Sequence, residues 1–219
     1  MTSNVDNKRY TWRIVDITVA SVIAVACSLI YWVAALAYAP LSFLDALVPG
    51  LLGFMNGLWL FAGPLALIIV RKPGAAIYAE IVAAVIEALL GNAWGGLGTI
   101  LIGLAQGAAV EIVFAIALYK VWNVWITTIS GALSGLACWA YTFFTNLQAI
   151  DWNGVYGGVN LLTTIISGIL FAGFFVWWIY IGIAKTGALD HFESGRVVRQ
   201  GKVATSSQAQ NSTDQEIKA

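Results

Sequence analysis

Five side chains combine ionisable or amide chemistry with apolar neighbours: Glu80, Glu87, Asn92, Gln106 and Glu111. All lie in one stretch, residues 68–111, where a cationic turn, Arg71-Lys72-Pro73-Gly74, opens an apolar segment that carries Glu80 and Glu87. That segment ends at Gly91-Asn92, and after a glycine-rich turn the next one carries Gln106 and Glu111. Polar groups in such surroundings are costly, and they generally face a cavity, a partner or a ligand. Glu80 and Glu87 are seven residues apart and so share nearly the same face of a helix. A carboxylate can balance a cation, an amide can read ring nitrogens, and aromatic faces can stack on a flat ring. This set therefore suits a cationic or heteroaromatic small molecule. The competing reading is a carboxyl group that only fixes helix packing.

The elements that position these groups follow from composition. Of 219 residues 60% are hydrophobic and 10% charged, far from the roughly 25% charged residues of a soluble domain. Apolar runs near the length of about 20 residues that crosses a membrane recur along the chain. The reading is an all-α integral membrane protein, a bundle of six transmembrane helices at 14–38, 51–70, 75–90, 99–118, 125–144 and 159–183. The first run is too long for a cleaved signal and is expected to be retained. Residues 1–13 form an N-terminal arm, 14–184 the membrane domain, and 185–219 a polar, disordered tail.

Charge placement tests that count. Lys8, Arg9, Arg13, Arg71, Lys72, Lys120, Lys185, Arg196, Arg199, Lys202 and Lys218 all fall on one side of a six-span arrangement. By the positive-inside rule both termini are cytoplasmic, with the chain in the cell membrane. Arg71-Lys72 reads as a determinant of that topology rather than as a phosphate site. Glu87, Asn92 and Gln106 then lie near the outer surface, with Glu80 and Glu111 deeper. Trp94, Tyr141, Trp152 and Tyr156 are the aromatic side chains at a suitable depth to stack on a ligand.

Several chemistries lack residues. There is no phosphate-binding G-x-x-x-x-G-K-[ST] loop, no G-x-S-x-G elbow, no H-E-x-x-H pair and no CxxC. No catalytic residue, metal site, cofactor or nucleic-acid contact is expected. Cys27 and Cys138 read as small packing residues. Ala20-x-x-x-Ala24 is a small-residue pattern that lets another helix approach, either within the protein or from a partner.

The runs R-K-P-G-A-A, E-I-V-A-A-V-I-E-A-L-L-G-N and G-L-A-Q-G-A-A-V-E resemble the YkoE family. Its members are substrate-binding (S) components of energy-coupling-factor (ECF) vitamin importers, associated with thiamine or its hydroxymethylpyrimidine moiety. The resemblance implies capture of such a vitamin from outside, with a transmembrane coupling (T) protein and ATPase subunits as partners. ATP would be used by those subunits and not by this chain. It implies that Glu87, Asn92, Gln106 and Glu111 form the pocket, with Glu80 in the pocket or in a structural or coupling role. It also implies that Ala20 and Ala24 dock the coupling protein and that residues 39–49 gate the site. The rival reading is a stand-alone, proton-coupled secondary transporter that uses Glu80, Glu87 and Glu111 as a relay.

Overall fold

The computed structural model describes residues 10–92 and 95–200, and its regular structure there is entirely helical. The α-helices are α1 (Ile14–Tyr38), α2 (Phe43–Leu47), α3 (Ala62–Val70), α4 (Ala75–Leu90), α5 (Gly96–Ile116), α6 (Val124–Thr145), α7 (Val155–Ser167) and α8 (Val176–Thr186). A 3-10 helix, Leu51–Trp59, precedes α3, and a π-helical stretch, Gly168–Phe175, joins α7 to α8. Five stretches are long and apolar enough to cross a membrane: Ile14–Tyr38, Leu51–Val70, Gly96–Ile116, Val124–Thr145 and Val155–Thr186. This is a multi-pass membrane protein. The remaining expected span, α4, forms where the sequence places it but has only 16 residues. At 1.5 Å per residue it reaches about 24 Å, short of a hydrocarbon layer of about 30 Å.

Capping and glycine contacts explain the local breaks. The second span is not one helix, because it changes from 3-10 to α geometry across Leu60 and Phe61. Gly53 and Gly57 lie flush against α7, where an added Cβ would come within 2.8 Å of Asn160 and Ser167 atoms. Pro64 is not a mid-helix kink, since it occupies the first turn of α3, where no intrahelical donor is needed. The two amides ahead of it are satisfied from other helices. Ala62 N donates to Tyr31 Oη at 2.9 Å, and Gly63 N donates to Glu80 Oε1 at 2.7 Å. Every residue of α3 is buried, so this helix forms the axis of the bundle.

Helix α4 packs chiefly on α5, with α1 and α3 on its other sides. Gly103 and Gly107 permit that approach, for a Cβ on Gly107 would lie 2.8 Å from Ile77 Cα. At the far end of α3, Arg71 closes the helix in the left-handed region at φ 56° and donates its amide to Leu67 O at 2.8 Å. Beyond α8 the chain does not become a free tail at once. Leu189, Phe192 and Ser194 are buried, and Ser194 Oγ donates to Ile69 O at 2.7 Å. Tyr180 Oη donates to Ser194 O at 2.8 Å. The stretch expected to be disordered from residue 185 is instead packed on the bundle over 189–198. Two apolar residues and one serine suffice for that, and its overall polarity hides them.

Candidate functional site

A cavity of about 750 Å³, counting its open mouth, lies among α1, the 3-10 helix, α4, α5, α6 and α7. Its wall includes the last third of α1, the last two-thirds of α4, the first half of α5, the end of α6 and the first half of α7. All of these are at the end of the bundle away from Arg13, Arg71, Lys72, Lys120 and Lys185. Tyr38, Gly98, Asn146 and Leu147 stand towards the mouth, and Tyr31, Glu80, Gln106 and Cys138 lie further in.

Two carboxyl groups face this space. Glu87 is buried on α4, and its Oε1 accepts from Trp59 Nε1 at 2.9 Å. Trp59 in turn meets Tyr38 edge-on, with ring centroids 6.2 Å apart. One wall therefore holds an acid positioned by one aromatic ring, with a second ring behind it. Glu80 lies seven residues earlier on α4, about 10 Å deeper along the axis. It is fully buried, and its Oε2 accepts from Tyr31 Oη at 3.0 Å while its Oε1 holds the start of α3. Amides converge from other elements: Gln106 on α5, Asn56 on the 3-10 helix and Asn160 on α7. Such a chamber has anionic, amide and aromatic walls, and no nucleophile–base pair is built into them.

The residues expected from sequence divide accordingly. Glu80, Glu87, Gln106 and Tyr141 line the cavity. Asn92 does not; its Nδ2 donates to Thr99 Oγ1 at 2.9 Å and so holds a residue that does. Tyr156 Oη donates to Asp45 Oδ2 at 3.0 Å, and Asp45 Oδ1 accepts from Leu52 N at 2.8 Å. That side chain ties the 39–49 connection to α7 instead of facing a ligand. Trp152 is 56% exposed and forms no part of the wall. Trp94 lies outside the described residues.

Glu111 is displaced from the expected set altogether. Its Oε1 accepts from Ala76 N at 2.9 Å, in the first turn of α4, and its Oε2 accepts from Tyr119 Oη at 2.7 Å. Burial, reinforced by the adjacent carboxylate, pushes the Tyr119 phenol up and keeps it a donor. Glu111 is thus an N-cap supplied by a neighbouring helix, where an acid also complements the helix dipole. Trp59, Tyr38, Asn56, Thr99 and Asn160 were not expected. The rule that singled out Glu87 would have found the two asparagines, which also interrupt apolar runs.

Residues 15–137 match the model of a family described as ABC-type cobalt transport system, permease component. The chain belongs to this family. A Bacillus subtilis (strain 168) protein, YkoE, which carries the description HMP/thiamine permease protein, is 29% identical over 204 residues. The match covers 91% of this chain and 98% of that protein. A crystal structure of an S-component of an ECF transporter superposes with a TM-score of 0.82 at 28% identity, covering 90% of this chain and 98% of that one. The chain is a YkoE-like ECF S component, and its relatives are transport proteins rather than enzymes.

Two features of the S component depart from what the resemblance implied. Ala20 and Ala24 are fully buried within the protein, on a helix that packs against α4. A partner helix cannot reach them in this arrangement; Val22, Val25, Leu29 and Val33 are among the residues that α1 exposes. Glu111 should be separable from ligand binding. Glu111→Gln in the S component is expected to lower stability by about 1 kcal/mol through the weakened cap, with ligand affinity within twofold of wild type. A tenfold loss of affinity at unchanged stability would return Glu111 to the site.

Proposed function

We propose that this chain is the substrate-binding subunit of an ATP-driven ECF-type importer and captures thiamine or its hydroxymethylpyrimidine moiety from outside the cell. The observation that carries this reading is the Glu87–Trp59–Tyr38 wall, facing amides across a cavity at the end of the bundle remote from the cations. In this reading α4 completes a six-helix bundle in the cell membrane. The basic residues and both termini are then cytoplasmic, and the cavity opens outward. Helix α4 can be short because protein surrounds it on three sides. A T protein and ATPase subunits supply the energy, since this chain has no phosphate-binding loop.

Within the cavity the cationic ring of a thiamine-like ligand is placed against Glu87. Trp59 or Tyr38 stacks on it, and Gln106, Asn56 or Asn160 reads the aminopyrimidine. Supporting this assignment, the relative named for HMP and thiamine matches along nearly its full length. Calorimetric titration of the detergent-purified chain with thiamine, and separately with hydroxymethylpyrimidine, tests it. In the same titration Glu87→Gln should weaken thiamine by about 1–3 kcal/mol, the scale of a charge-assisted hydrogen bond, and leave neutral hydroxymethylpyrimidine nearly unaffected. Equal losses for both ligands would move Glu87 from charge recognition to shaping the wall. Absence of binding by either ligand would overturn the assignment. Uptake by the chain alone, abolished by an uncoupler, would favour a proton-coupled carrier.

A further inference from the structure

Arg13, Arg71, Lys72, His191 and Arg196 come from three distant parts of the chain and meet around a second cavity, of about 690 Å³ counting its open mouth. It lies where the start of α1, the α3–α4 turn and the docked C-terminal segment come together, at the opposite end from the first cavity. Ile69, Val70 and Phe192 complete its wall, together with one acid, Glu193. Four cationic side chains line the space. Among the described residues Glu193 stands near Arg71, and Asp16 accepts from the Arg13 guanidinium at 2.7 Å, so cations outnumber acids around this space.

Arg71 is held in place at this site. Its backbone sits at φ 56°, a conformation costly for a residue with a side chain and retained where the surroundings enforce it. Its guanidinium lies 5.1 Å over the Trp122 ring and 3.7 Å from Glu193, and its side chain is 11% exposed. Orienting a chain in a membrane needs cations near the span ends, but it does not need them drawn from positions 13, 71–72 and 191–196 around one hollow. The docking of Phe192 and Ser194 is what brings the last group into place.

We propose that this cavity binds a phosphate-bearing anion at the end of the bundle remote from the vitamin cavity. Planar guanidinium donors suit phosphate oxygens, and basic pockets between membrane helices hold anionic headgroups. A lipid is the favoured source, because Ile14, immediately after Arg13, is 85% exposed and Ile17, about one turn on, is 44% exposed, so apolar surface open to acyl chains follows directly on the Arg13 wall. A free phosphate compound shares the chemistry and would need no such surface.

Native mass spectrometry of the full chain, released from mixed micelles, decides between these. Phosphatidylglycerol should stay bound while phosphatidylcholine does not, and Lys72→Gln combined with Arg196→Gln should cut that retention about tenfold. Arg196→Lys alone should preserve it, and unfolding of the double variant in phosphatidylcholine should match wild type, so that loss of binding is not loss of fold. Displacement of the lipid by millimolar inorganic phosphate, with phosphate itself retained, would support the anion site and assign it to a free phosphate compound. Equal retention of the two lipids, or undiminished phosphatidylglycerol on the double variant, would overturn the proposal.

Discussion

Glu80→Ala should destabilise the fold by about 2–6 kcal/mol, because it strands the Gly63 amide and removes the acceptor of the Tyr31 hydroxyl. Each stranded buried group costs about 1–3 kcal/mol. Thermal unfolding of the detergent-purified protein measures it. Glu80→Gln keeps one carbonyl oxygen and should recover roughly half of the loss. Tyr31→Phe removes the other partner of the α3 terminus, at Ala62 N, and should cost about 1–3 kcal/mol on its own. Stability of Glu80→Ala within about 0.5 kcal/mol of wild type would mean that the carboxyl serves only the ligand and does not hold α3.

Gly131→Ala is expected to cost about 3 kcal/mol, the upper end of ordinary overpacking. The new methyl group would collide with the Gly168 carbonyl oxygen and lie 2.8 Å from Gly173 N. Both are backbone atoms, which cannot rotate away as a side chain can, so α6 and the π-helical stretch would have to separate. Gly182→Ala is the matched control, with nothing within 4 Å of its added methyl group. It should leave the unfolding transition within about 0.5 kcal/mol of wild type. Similar transitions for both variants would show that the contact between α6 and the π-helical stretch yields easily.

Helix existence was largely legible from the chain. The limits of α1 and α4 follow from where the apolar runs meet Arg13, Ala39, Gly74 and Gly91, and the structure places them there. The break at Leu60–Phe61 was not legible, because an apolar run has the same appearance in α and 3-10 geometry. Cost arguments correctly identified Glu80, Glu87, Gln106 and Glu111 as buried polar residues. They could not distinguish a wall residue from a cap. That depends on which helix end lies opposite, and neither the face nor the depth of Glu111 reveals that Ala76 N is its neighbour. The Ala20-x-x-x-Ala24 pattern marks close helix approach, and the approaching helix is the protein's own α4.

The π-helical stretch in the last span has a consequence for register. Asn160, Thr164, Gly168, Ala172, Val176, Tyr180 and Ala184 are each four residues apart, and all seven are buried. In an unbroken α-helix, four residues overshoot a full turn by about 40°, so six such steps would rotate the line by about 240° and carry its end out towards lipid. The wider i→i+5 turns of residues 168–175 take back part of that rotation. One continuous span can thus keep Asn160 on the first cavity and Val176 and Tyr180 in the core that holds α3 and the docked C-terminal segment. The two ends of the bundle are held in angular alignment by a local unwinding rather than by a break in the chain.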